Sequence, residues 1–378
     1  MKVAIVLGTR PEIIKMAPVV RECQKRGLEF FVLHTGQHYS YSMDKVFFEE
    51  LELPGAKHNL EVGSGSHAVQ TGKILAGAEK VFQQERPDVV LVQGDTNTVM
   101  ASALAASKMG IRIGHVEAGL RSFDRTMPEE VNRVIADHIS DYLFAPTVQA
   151  LDYLREEGIV KGVHVTGNTI VDSVFQSREI ARRKAKALEE LGLKKDGYLL
   201  ATAHRAENVD SKDRLSGMLR GMEMVSGDTG LPVVFPMHPR TQGRMKEFGL
   251  RSDAIRVIEP RGFLDFLQLE SNARLVLTDS GGVQEETCIL GVPCVTLREN
   301  TERPETLEVG SNVLVGTSPS RIRGGATVML KASRGWKNPF GDGNASERML
   351  DVLEASFEAP AVDAMGVASG EASRPSAM

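Results

Sequence analysis

Short runs of apolar residues alternate with longer amphipathic segments along nearly the whole chain. Several runs, such as VVLVQ (89–93) and RLVLT (274–278), lack polar alternation, which is typical of strands covered on both faces of a parallel sheet. The pattern predicts strands at Lys2–Leu7, Phe30–His34, Asp88–Gln93, Ile111–Val116, Tyr142–Ala145, Tyr198–Ala203, Val233–Met237, Ile255–Ile258, Arg274–Thr278 and Pro293–Leu297. Because strands and helices alternate, and because so many strands exceed one ordinary sheet, we expect an α/β protein with two Rossmann-like, doubly wound domains.

Helices are expected between the strands, for example at Gly72–Gln84, Thr98–Met109 and Glu130–Ser140. Proline lacks the N–H that an interior helical position donates, so Pro18 is expected to kink or split the first helix.

The domain organisation follows from the segment TGNT (166–169), which is expected to close a strand before a long charged helix over 170–191. We therefore predict a first domain over 1–168 and a second over 169–343. Residues 344–358 have the pattern of a helix, which we expect to pack back on the first domain. Residues 359–378 are rich in Ala, Ser and Gly and predict a disordered tail.

The composition of the chain argues against several classes of protein. The 378 residues carry 42% hydrophobic and 25% charged residues, and the net charge of −5 lacks the basic excess that nucleic-acid-binding proteins show. Three cysteines without a CxxC pair indicate a reducing compartment and neither a disulfide framework nor a zinc site. The apolar start is too short for a signal peptide, and no run approaches the roughly 18 residues that span a bilayer. We expect a cytoplasmic protein without membrane or nucleic-acid partners.

Candidate chemistry in the first half lies just after the apolar runs, because doubly wound sheets bind ligands at the carboxyl ends of their strands. Arg10 and Lys15 follow the first run near a helix start, which suits a phosphate or a carboxylate, although an ordinary turn explains the segment equally well. Asp95 follows VVLVQ and can equally be a helix cap. Glu117 follows IRIGHV between small residues, where a cap explains it poorly.

A third acidic residue opens the helix that follows Met127. Glu129 suits the positive end of a helix dipole, so a purely structural role stays open. Glu129 and Arg133 are four residues apart and share a helix face, which lets the arginine hold the carboxylate. We expect Asp95, Glu117 and Glu129 to converge on one cleft rim, where crowding leaves one carboxyl protonated near neutrality. That arrangement suits removal and return of a proton.

The second half offers groups that bind anions. His204 follows the run YLLATA, where a catalytic role and a structural one are equally plausible. Ser280, Gly281 and Gly282 follow RLVLT and lead into a helix, so their N–H groups can cradle phosphate oxygens. Glu286, one turn later, is placed to accept hydrogen bonds from a ribose diol.

Other motifs are weak or lacking. Arg303 follows the predicted strand Pro293–Leu297 and adds a cation to the second half of the chain. The segment 63–68 fits the loose pattern G-x-G-x-x-A, but no convincing buried strand precedes it, so NAD binding has little support. The sequence contains neither GxxxxGK[ST] nor HExxH nor GxSxG, and the ATPase, zinc hydrolase and serine hydrolase classes therefore lack motif support. We expect no cofactor and no metal.

Taken together, these segments resemble the non-hydrolysing UDP-N-acetylglucosamine 2-epimerase family. The motifs that carry the resemblance are GTRPEIIKMAP (8–18), TGQH (35–38), QGDTNT (93–98), GHVEAGLRS (114–122), MPEEVNR (127–133), FAPT (144–147), VTGNT (165–169), DSGGVQEE (279–286), GVPCVTLRENTERPE (291–305) and Gly310. They cover residues 1–316 in order, and the set is far more specific than any one motif.

The resemblance implies a glycosyltransferase-B-type fold, in which two Rossmann-like domains face each other across a deep cleft, usually in a homodimer. The family interconverts UDP-N-acetylglucosamine and UDP-N-acetylmannosamine without NAD. A base removes the C2 proton while the C1–O bond breaks, so UDP and 2-acetamidoglucal form, and UDP then adds back. Such a reaction needs acid and base groups around the sugar and stabilisation of the departing diphosphate.

The resemblance also implies roles for individual residues. The implied acid and base groups are Asp95, Glu117, Glu129 and His204. The implied substrate-binding groups are Arg10, Lys15, Arg133, Phe266, Ser280, Gly281, Gly282, Glu286 and Arg303. Within this set, Arg133 would organise Glu129, and Phe266 and Arg303 would line the nucleotide pocket. Gln37 and His38 match part of a second, allosteric UDP-N-acetylglucosamine site that many members have.

Four alternatives stay open. A hydrolysing 2-epimerase would release free N-acetylmannosamine and UDP irreversibly. A sister activity acts on UDP-2,3-diacetamido-glucuronic acid, although its members tend to depart from the GTRPEIIK pattern. A retaining glycosyltransferase on the same fold would consume a UDP-sugar only with an acceptor present. A non-catalytic sensor would bind UDP without any chemistry.

Overall fold

The computed structural model describes residues 1–37 and 41–358, in two parallel β-sheets with helices between successive strands. The strands of the first sheet are β1 (Lys2–Leu7), β2 (Glu29–His34), β3 (His58–Asn59), β4 (Val89–Gln93), β5 (Arg112–Val116), β6 (Tyr142–Ala145) and β7 (Val163–Val165). Those of the second are β8 (Leu199–Thr202), β9 (Val233–Pro236), β10 (Ile255–Ile258), β11 (Leu275–Thr278), β12 (Cys294–Thr296) and β13 (Asn312–Leu314). The predictions for His38 and for the tail 359–378 lie outside the described residues.

The helices connect these strands. Those up to the start of the second sheet are α1 (Arg10–Arg26), α2 (Tyr41–Glu50), α3 (His67–Glu85), α4 (Asn97–Lys108), α5 (Pro128–Ile139), α6 (Val148–Glu156), α7 (Thr169–Lys184) and α8 (Ala187–Leu191). The later ones are α9 (Ala206–Val209), α10 (Lys212–Thr229), α11 (Pro239–Glu247), α12 (Phe263–Asn272), α13 (Gly281–Leu290), α14 (Pro304–Glu308), α15 (Pro319–Lys331) and α16 (Ala345–Glu358). No helix in the described part of the chain has both the length and the hydropathy that crossing a membrane requires.

Both sheets have the strand order of a Rossmann fold. The orders are β3-β2-β1-β4-β5-β6-β7 and β10-β9-β8-β11-β12-β13, with parallel pairing throughout. Each order reverses at its centre, between β1 and β4 in one sheet and between β8 and β11 in the other. Ligands bind at the carboxyl ends of strands at such reversals. The residues that follow these four strands are 8–9, 94–96, 203–205 and 279–280, and the candidate site is expected there.

Strand β1 shows why both faces of a sheet are covered. Val3 and Ile5 pack into one apolar cluster with Met16 of α1, whereas Ala4 and Val6 pack into another cluster on the opposite face. All five side chains are buried. Burying a large aliphatic side chain contributes about 1.5–3 kcal/mol, so a run without polar alternation is stable only in this two-sided setting.

Two helix predictions are wrong in detail. Helix α1 is not split at Pro18, because the buried residues on both sides of the proline, including Met16 and Val20, hold the helix against the sheet, while a kink there stays a prediction. The long helix over 170–191 is two helices, α7 and α8. Asp265 accepts hydrogen bonds from the backbone N–H groups of Lys186 (3.0 Å) and Ala187 (3.2 Å) and thereby starts α8 separately.

Helix α16 lies against α1 and α7. Asp172 of α7 accepts hydrogen bonds from the backbone N–H groups of Ala345 (3.2 Å) and Ser346 (2.9 Å) at the start of α16. Arg26 at the end of α1 pairs with Glu354 at 2.5 Å. These contacts tie the last described helix to the first one, while the domain boundaries at 168 and 343 stay predictions.

Candidate active site

A cavity of about 590 Å³ opens at the carboxyl ends of β1, β4 and β5. Its wall includes Lys15, Asp95, Glu117 and Arg133 from the first half of the chain and Arg303 from the second half. We call it the acid cavity. It brings together five of the residues that the sequence singled out.

A second cavity, of about 300 Å³, lies at the carboxyl ends of β8 and β11. His204, Phe266 and Ser280 line it, and we call it the histidine cavity. The first turn of α13 separates it from the acid cavity. A Cβ atom on Gly281 would lie 3.8 Å from Oε2 of Glu302, which lines the acid cavity. Residues of the two cavities therefore lie close together at this turn.

Glu117 is held from three directions. Its Oε1 accepts hydrogen bonds from Lys15 Nζ (2.6 Å) and Asn168 Nδ2 (2.8 Å), and its Oε2 accepts one from Gln93 Nε2. Its backbone is left-handed (φ 66°), a conformation that costs a residue other than glycine roughly 1–2 kcal/mol. Such strain persists only where the surroundings fix it, and it is common at functional sites.

The carboxylate of Glu117 is ionised. Burial opposes ionisation, but Lys15, Arg303 and Asn168 together outweigh it and lower the pKa of Glu117. Burial likewise works against the Lys15 charge, yet the Glu117 carboxylate raises the pKa of Lys15. The expectation that crowded acids raise each other's pKa is therefore wrong for Glu117, because cations stand between the acids.

Arg303 brings the second half of the chain into this cluster. Its Nε lies 2.5 Å from Glu285 Oε1 on α13. The Glu285 carboxylate, with a further contribution from Glu117, raises the pKa of Arg303 although burial opposes it. The charges of Glu117, Lys15, Glu285 and Arg303 alternate in sign in this order and connect the two halves of the chain.

Asp95 faces the acid cavity instead of capping a helix, since the cap of α4 is Thr96. Arg133 pairs through Nη2 with Asp95 and through Nη1 with Glu130 (3.0 Å). The prediction that Arg133 organises Glu129 is thus wrong, because the buried Glu130 and the Asp95 carboxylate lie within its reach. Glu129 is not among the described residues that line the acid cavity.

His204 is oriented by a buried carboxylate. Its Nδ1 lies 3.3 Å from Oδ1 of Asp279, and the backbone N–H groups of His204 (3.1 Å) and Arg205 (3.0 Å) donate to the same side chain. Burial alone would raise the pKa of Asp279, but the hydrogen bond from His204 contributes to lowering it. Next to it, Ser280 caps α13, and the N–H groups of the first turn follow.

The comparisons with known proteins agree with this geometry. The family model described as UDP-N-acetylglucosamine 2-epimerase matches residues 21–354. The chain belongs to the UDP-N-acetylglucosamine 2-epimerase family. Among its relatives in this epimerase family, the UDP-N-acetylglucosamine 2-epimerase of Methanocaldococcus jannaschii is 54% identical over 361 residues, covering 93% of this chain and 99% of the relative. The UDP-2,3-diacetamido-2,3-dideoxy-D-glucuronate 2-epimerase of Pseudomonas aeruginosa is 40% identical, with coverages of 93% and 99%.

Solved structures of epimerases support the fold. The crystal structure of the M. jannaschii UDP-GlcNAc 2-epimerase in complex with UDP-GlcNAc and UDP has a TM-score of 0.82, at 53% identity and with coverages of 94% and 100%. The Neisseria meningitidis enzyme bound to UDP-GlcNAc has a TM-score of 0.83, at 33% identity and with the same coverages. UGT2 of Phytolacca americana, only 12% identical, shares the fold alone, with a TM-score of 0.60. The predicted α/β fold of the glycosyltransferase-B type is confirmed.

Several residues implied by the epimerase resemblance lie away from the described walls of both cavities. The Arg10 guanidinium stacks on the Phe47 ring, 4.9 Å from its centroid. The Gln37 Oε1 accepts hydrogen bonds from Thr98 N (3.1 Å) and Oγ1 (2.9 Å), so this buried side chain supports the first turn of α4. Glu286 does not line the described walls either.

Glu286 is half-buried and forms an acid pair with Glu270 of α12, which has no exposed surface. Burial raises the pKa of Glu286 to about 7. Burial and the neighbouring Glu286 raise the pKa of Glu270 well above its usual range. Both raised pKa values mean that these two carboxyls hold a proton to higher pH than an ordinary carboxyl does.

The sequence interpretation missed three residues that build the acid cavity: Gln93, Asn168 and Glu12. Glu12 accepts hydrogen bonds from Gly8 N (2.6 Å), Thr9 N (2.7 Å) and Thr96 Oγ1 (2.6 Å), which ties the turn after β1 to the turn after β4. The pattern T-x-x-E at residues 9–12 is a capping-box signal and could have revealed this role.

Within residues 1–37 and 41–358, no group of three or more His, Cys, Asp or Glu side chains is arranged to hold a metal ion. All three cysteines are buried free thiols.

Proposed function

We propose that this protein interconverts UDP-N-acetylglucosamine and UDP-N-acetylmannosamine by eliminating UDP and adding it back, without net hydrolysis. The observation that carries the proposal is the junction of the two cavities at the first turn of α13. A sugar placed among the acids of one cavity leaves its diphosphate at the anion-binding groups of the other. The proposal also rests on the names of the relatives, which bind or act on UDP-sugars.

The elimination step uses the acid cavity. The C2–H bond breaks and its proton goes to a carboxylate, its electron pair forms the C1=C2 double bond, and the C1–O bond breaks with its electrons leaving on UDP. Asp95 and Glu117 are each paired with a cation, and the Lys15 ammonium helps to lower the pKa of Glu117, which favours the ionised form that accepts a proton. The return step delivers a proton to the opposite face of C2 while a UDP oxygen attacks C1.

The second half of the chain stabilises the leaving group. The N–H groups of Gly281 and Gly282 open α13, and a helix N-terminus favours an anion. His204, oriented by Asp279, supplies a hydrogen bond or a proton to the departing oxygen. Stabilising charge as it develops on the diphosphate is the main contribution that such groups make to rate.

We further propose a homodimer in the cytoplasm that needs no cofactor. The dimer follows from the family resemblance, and the buried free thiols fit a reducing compartment. Light scattering during size-exclusion chromatography measures the molar mass of the protein and thereby tests the proposed dimer. An allosteric site at Gln37 and His38 stays a prediction.

Cleavage of the C1–O bond is tested with UDP-N-acetylglucosamine that carries ¹⁸O in the bridge between C1 and the β-phosphate. A free UDP intermediate rotates its phosphate, so we expect ¹⁸O to scramble into the non-bridging positions while UDP-N-acetylmannosamine forms. Epimerisation without scrambling would contradict elimination. Accumulation of free N-acetylmannosamine would instead indicate a hydrolysing enzyme.

The alternative activities are distinguished by further assays on the same protein. Consumption of the UDP-sugar only when an acceptor is added would indicate a glycosyltransferase. Turnover of UDP-2,3-diacetamido-glucuronic acid in preference to UDP-N-acetylglucosamine would indicate the sister activity that the P. aeruginosa relative is named for.

A further inference from the structure

A buried histidine connects the two loops that carry Asp95 and Glu117. His115 lies on β5, has no exposed surface, and belongs to none of the residues given a role above. Its Nδ1 is 2.6 Å from Asp137 Oδ1, and its Nε2 is 2.8 Å from the carbonyl oxygen of Gly94. Both ring nitrogens therefore face an oxygen atom at hydrogen-bond distance.

The protonation state of the ring follows from counting hydrogens. A carbonyl oxygen carries none, and an ionised carboxylate carries none. A neutral imidazole has a single N–H, so one of its two nitrogens would point a lone pair at the lone pairs of an oxygen. Only the doubly protonated ring of His115 donates to both Asp137 and Gly94.

The Asp137 carboxylate has partners that keep it ionised. Its Oδ2 accepts hydrogen bonds from Gly119 N (3.1 Å) and from Arg121 Nη1 (2.6 Å). Arg121 also pairs with Glu157, since Arg121 Nε lies 2.7 Å from Glu157 Oε1. The chain of charges His115, Asp137, Arg121 and Glu157 alternates in sign, which offsets the desolvation of a buried cation.

Two of these charged residues, His115 and Asp137, form hydrogen bonds with the backbone next to Asp95 and Glu117. Gly94 directly precedes Asp95, and Gly119 comes two residues after Glu117. Gly119 has a positive φ (81°), and a Cβ atom there would lie 2.3 Å from the carbonyl oxygen of Ala150. The loop is thus packed tightly, and the hydrogen bond from Gly119 N to Asp137 is fixed in direction.

We propose that His115, doubly protonated at neutral pH, and Asp137 are positioning residues that set the spacing between Asp95 and Glu117. The inference rests on the proposed function for the roles of these two acids. The imidazolium holds the Gly94 carbonyl on one side and Asp137 on the other, and Asp137 holds the loop after Glu117.

The protonation state is tested without any assay of activity. In protein labelled with ¹⁵N-histidine, the His115 resonance is assigned by its loss in His115→Gln. We expect both ring nitrogens to carry hydrogen between pH 6 and pH 8.5. A nitrogen without hydrogen at pH 7 would overturn the proposal, whether or not the protein is an epimerase.

The positioning role is tested by kinetics on His115→Gln, which cannot donate in both directions. Misplaced catalytic groups lower rates by about 10²-fold, so we expect a loss of that order in kcat with KM changed less than about threefold. His138→Gln is the matched control, because His138 is exposed on α5 and bonds only within its own helix, through Val134 O (2.9 Å).

A folded His115→Gln variant with unchanged kcat would contradict the positioning role. Should that variant not fold, Asp137→Asn provides the second test, since it removes the charge while retaining size, and the same loss in kcat is expected. Unchanged kcat in Asp137→Asn would likewise overturn the proposal. UDP affinity, measured by calorimetry, should stay within about threefold in every folded variant, because UDP binding is assigned to the other cavity.

Discussion

At the scale of single residues, Glu117 combines a strained backbone with a side chain that Lys15, Gln93 and Asn168 hold in place. Strain of this kind is retained where the direction of a side chain matters. Because the Lys15 ammonium also favours the ionised form, the pair presents a carboxylate of fixed direction to the acid cavity.

Replacing Lys15 by methionine tests this pairing. Without the ammonium, burial is no longer outweighed and the pKa of Glu117 rises, so the acidic limb of the pH profile of kcat/KM moves to higher pH. We expect kcat/KM at pH 7 to fall about 10²-fold. Lys25→Met on the exposed end of the same helix is the control. An unmoved acidic limb in Lys15→Met would exclude Glu117 as the titrating base.

A strand end alone marks Asp95, Glu117 and His204 in the sequence, and each of them lines one of the two cavities, while their catalytic roles stay predictions. Prediction from the sequence failed where the partner is distant in the chain. Asn168 is 51 residues from the Glu117 side chain that it contacts, and no spacing reveals such a pair. Helical spacing assigned Arg133 to Glu129, whereas one of the two partners of Arg133 is Asp95, 38 residues away in the chain.

At the scale of elements, the start of α5 is tied to the loop before it by Glu130. This buried carboxylate accepts hydrogen bonds from the backbone N–H groups of Ser122 (2.8 Å) and Phe123 (3.0 Å). Phe123 has a positive φ (59°) and lines the acid cavity, so the contact also shapes the cavity wall.

Glu130→Gln and Glu129→Gln form a matched pair of variants on this helix. The first weakens buried hydrogen bonds, and we expect it to lower the free energy of unfolding by about 1–3 kcal/mol. The second removes a carboxylate for which α5 shows no such anchoring role, and we expect a change below about 0.5 kcal/mol. Chemical denaturation measures both, and equal losses would contradict the assignment of the anchor to Glu130.

The contact between α12 and α13 predicts a pH dependence of stability. The raised pKa of Glu286, about 7, means that the folded chain holds this proton more tightly than the unfolded chain. The resulting stability is fully present below the usual pKa near 4.5 and is lost as pH rises through about 7. Glu270→Gln leaves one buried acid, so we expect its Tm to fall less than that of the wild type between pH 6 and pH 9.

The control for this prediction is Glu308→Gln on α14, which is exposed and should match the wild type. If the Tm of Glu270→Gln fell as much as that of the wild type over the same pH range, the pair of Glu270 and Glu286 would not be the origin of the pH dependence.

The elements that the sequence did not predict are short or depend on distant contacts. Strands β3 and β13 have only two and three residues and lie at the edges of their sheets. An edge strand does not need the long apolar run by which a buried central strand is predicted. The break between α7 and α8 arises from Asp265, far along the chain. By contrast, the buried central strands carry their own signal, which is why the fold class could be predicted.

At the scale of the whole molecule, the proposed function assigns the acids to the first half of the chain and the groups for the diphosphate to the second half. His204→Ala should therefore weaken UDP binding about tenfold, or about 1.4 kcal/mol, whereas Asp95→Asn should change it less than about threefold. Calorimetric titration with UDP measures both variants. Equal weakening would show that the acid cavity also binds the nucleotide.

The central claim is that a proton leaves C2 and returns from solvent-exchanged groups while UDP is detached. It is tested most directly by following UDP-N-acetylglucosamine with the enzyme in D₂O by NMR. We predict deuterium at C2 of both UDP-N-acetylglucosamine and UDP-N-acetylmannosamine as the two approach equilibrium. Formation of UDP-N-acetylmannosamine that retains hydrogen at C2 would contradict the account.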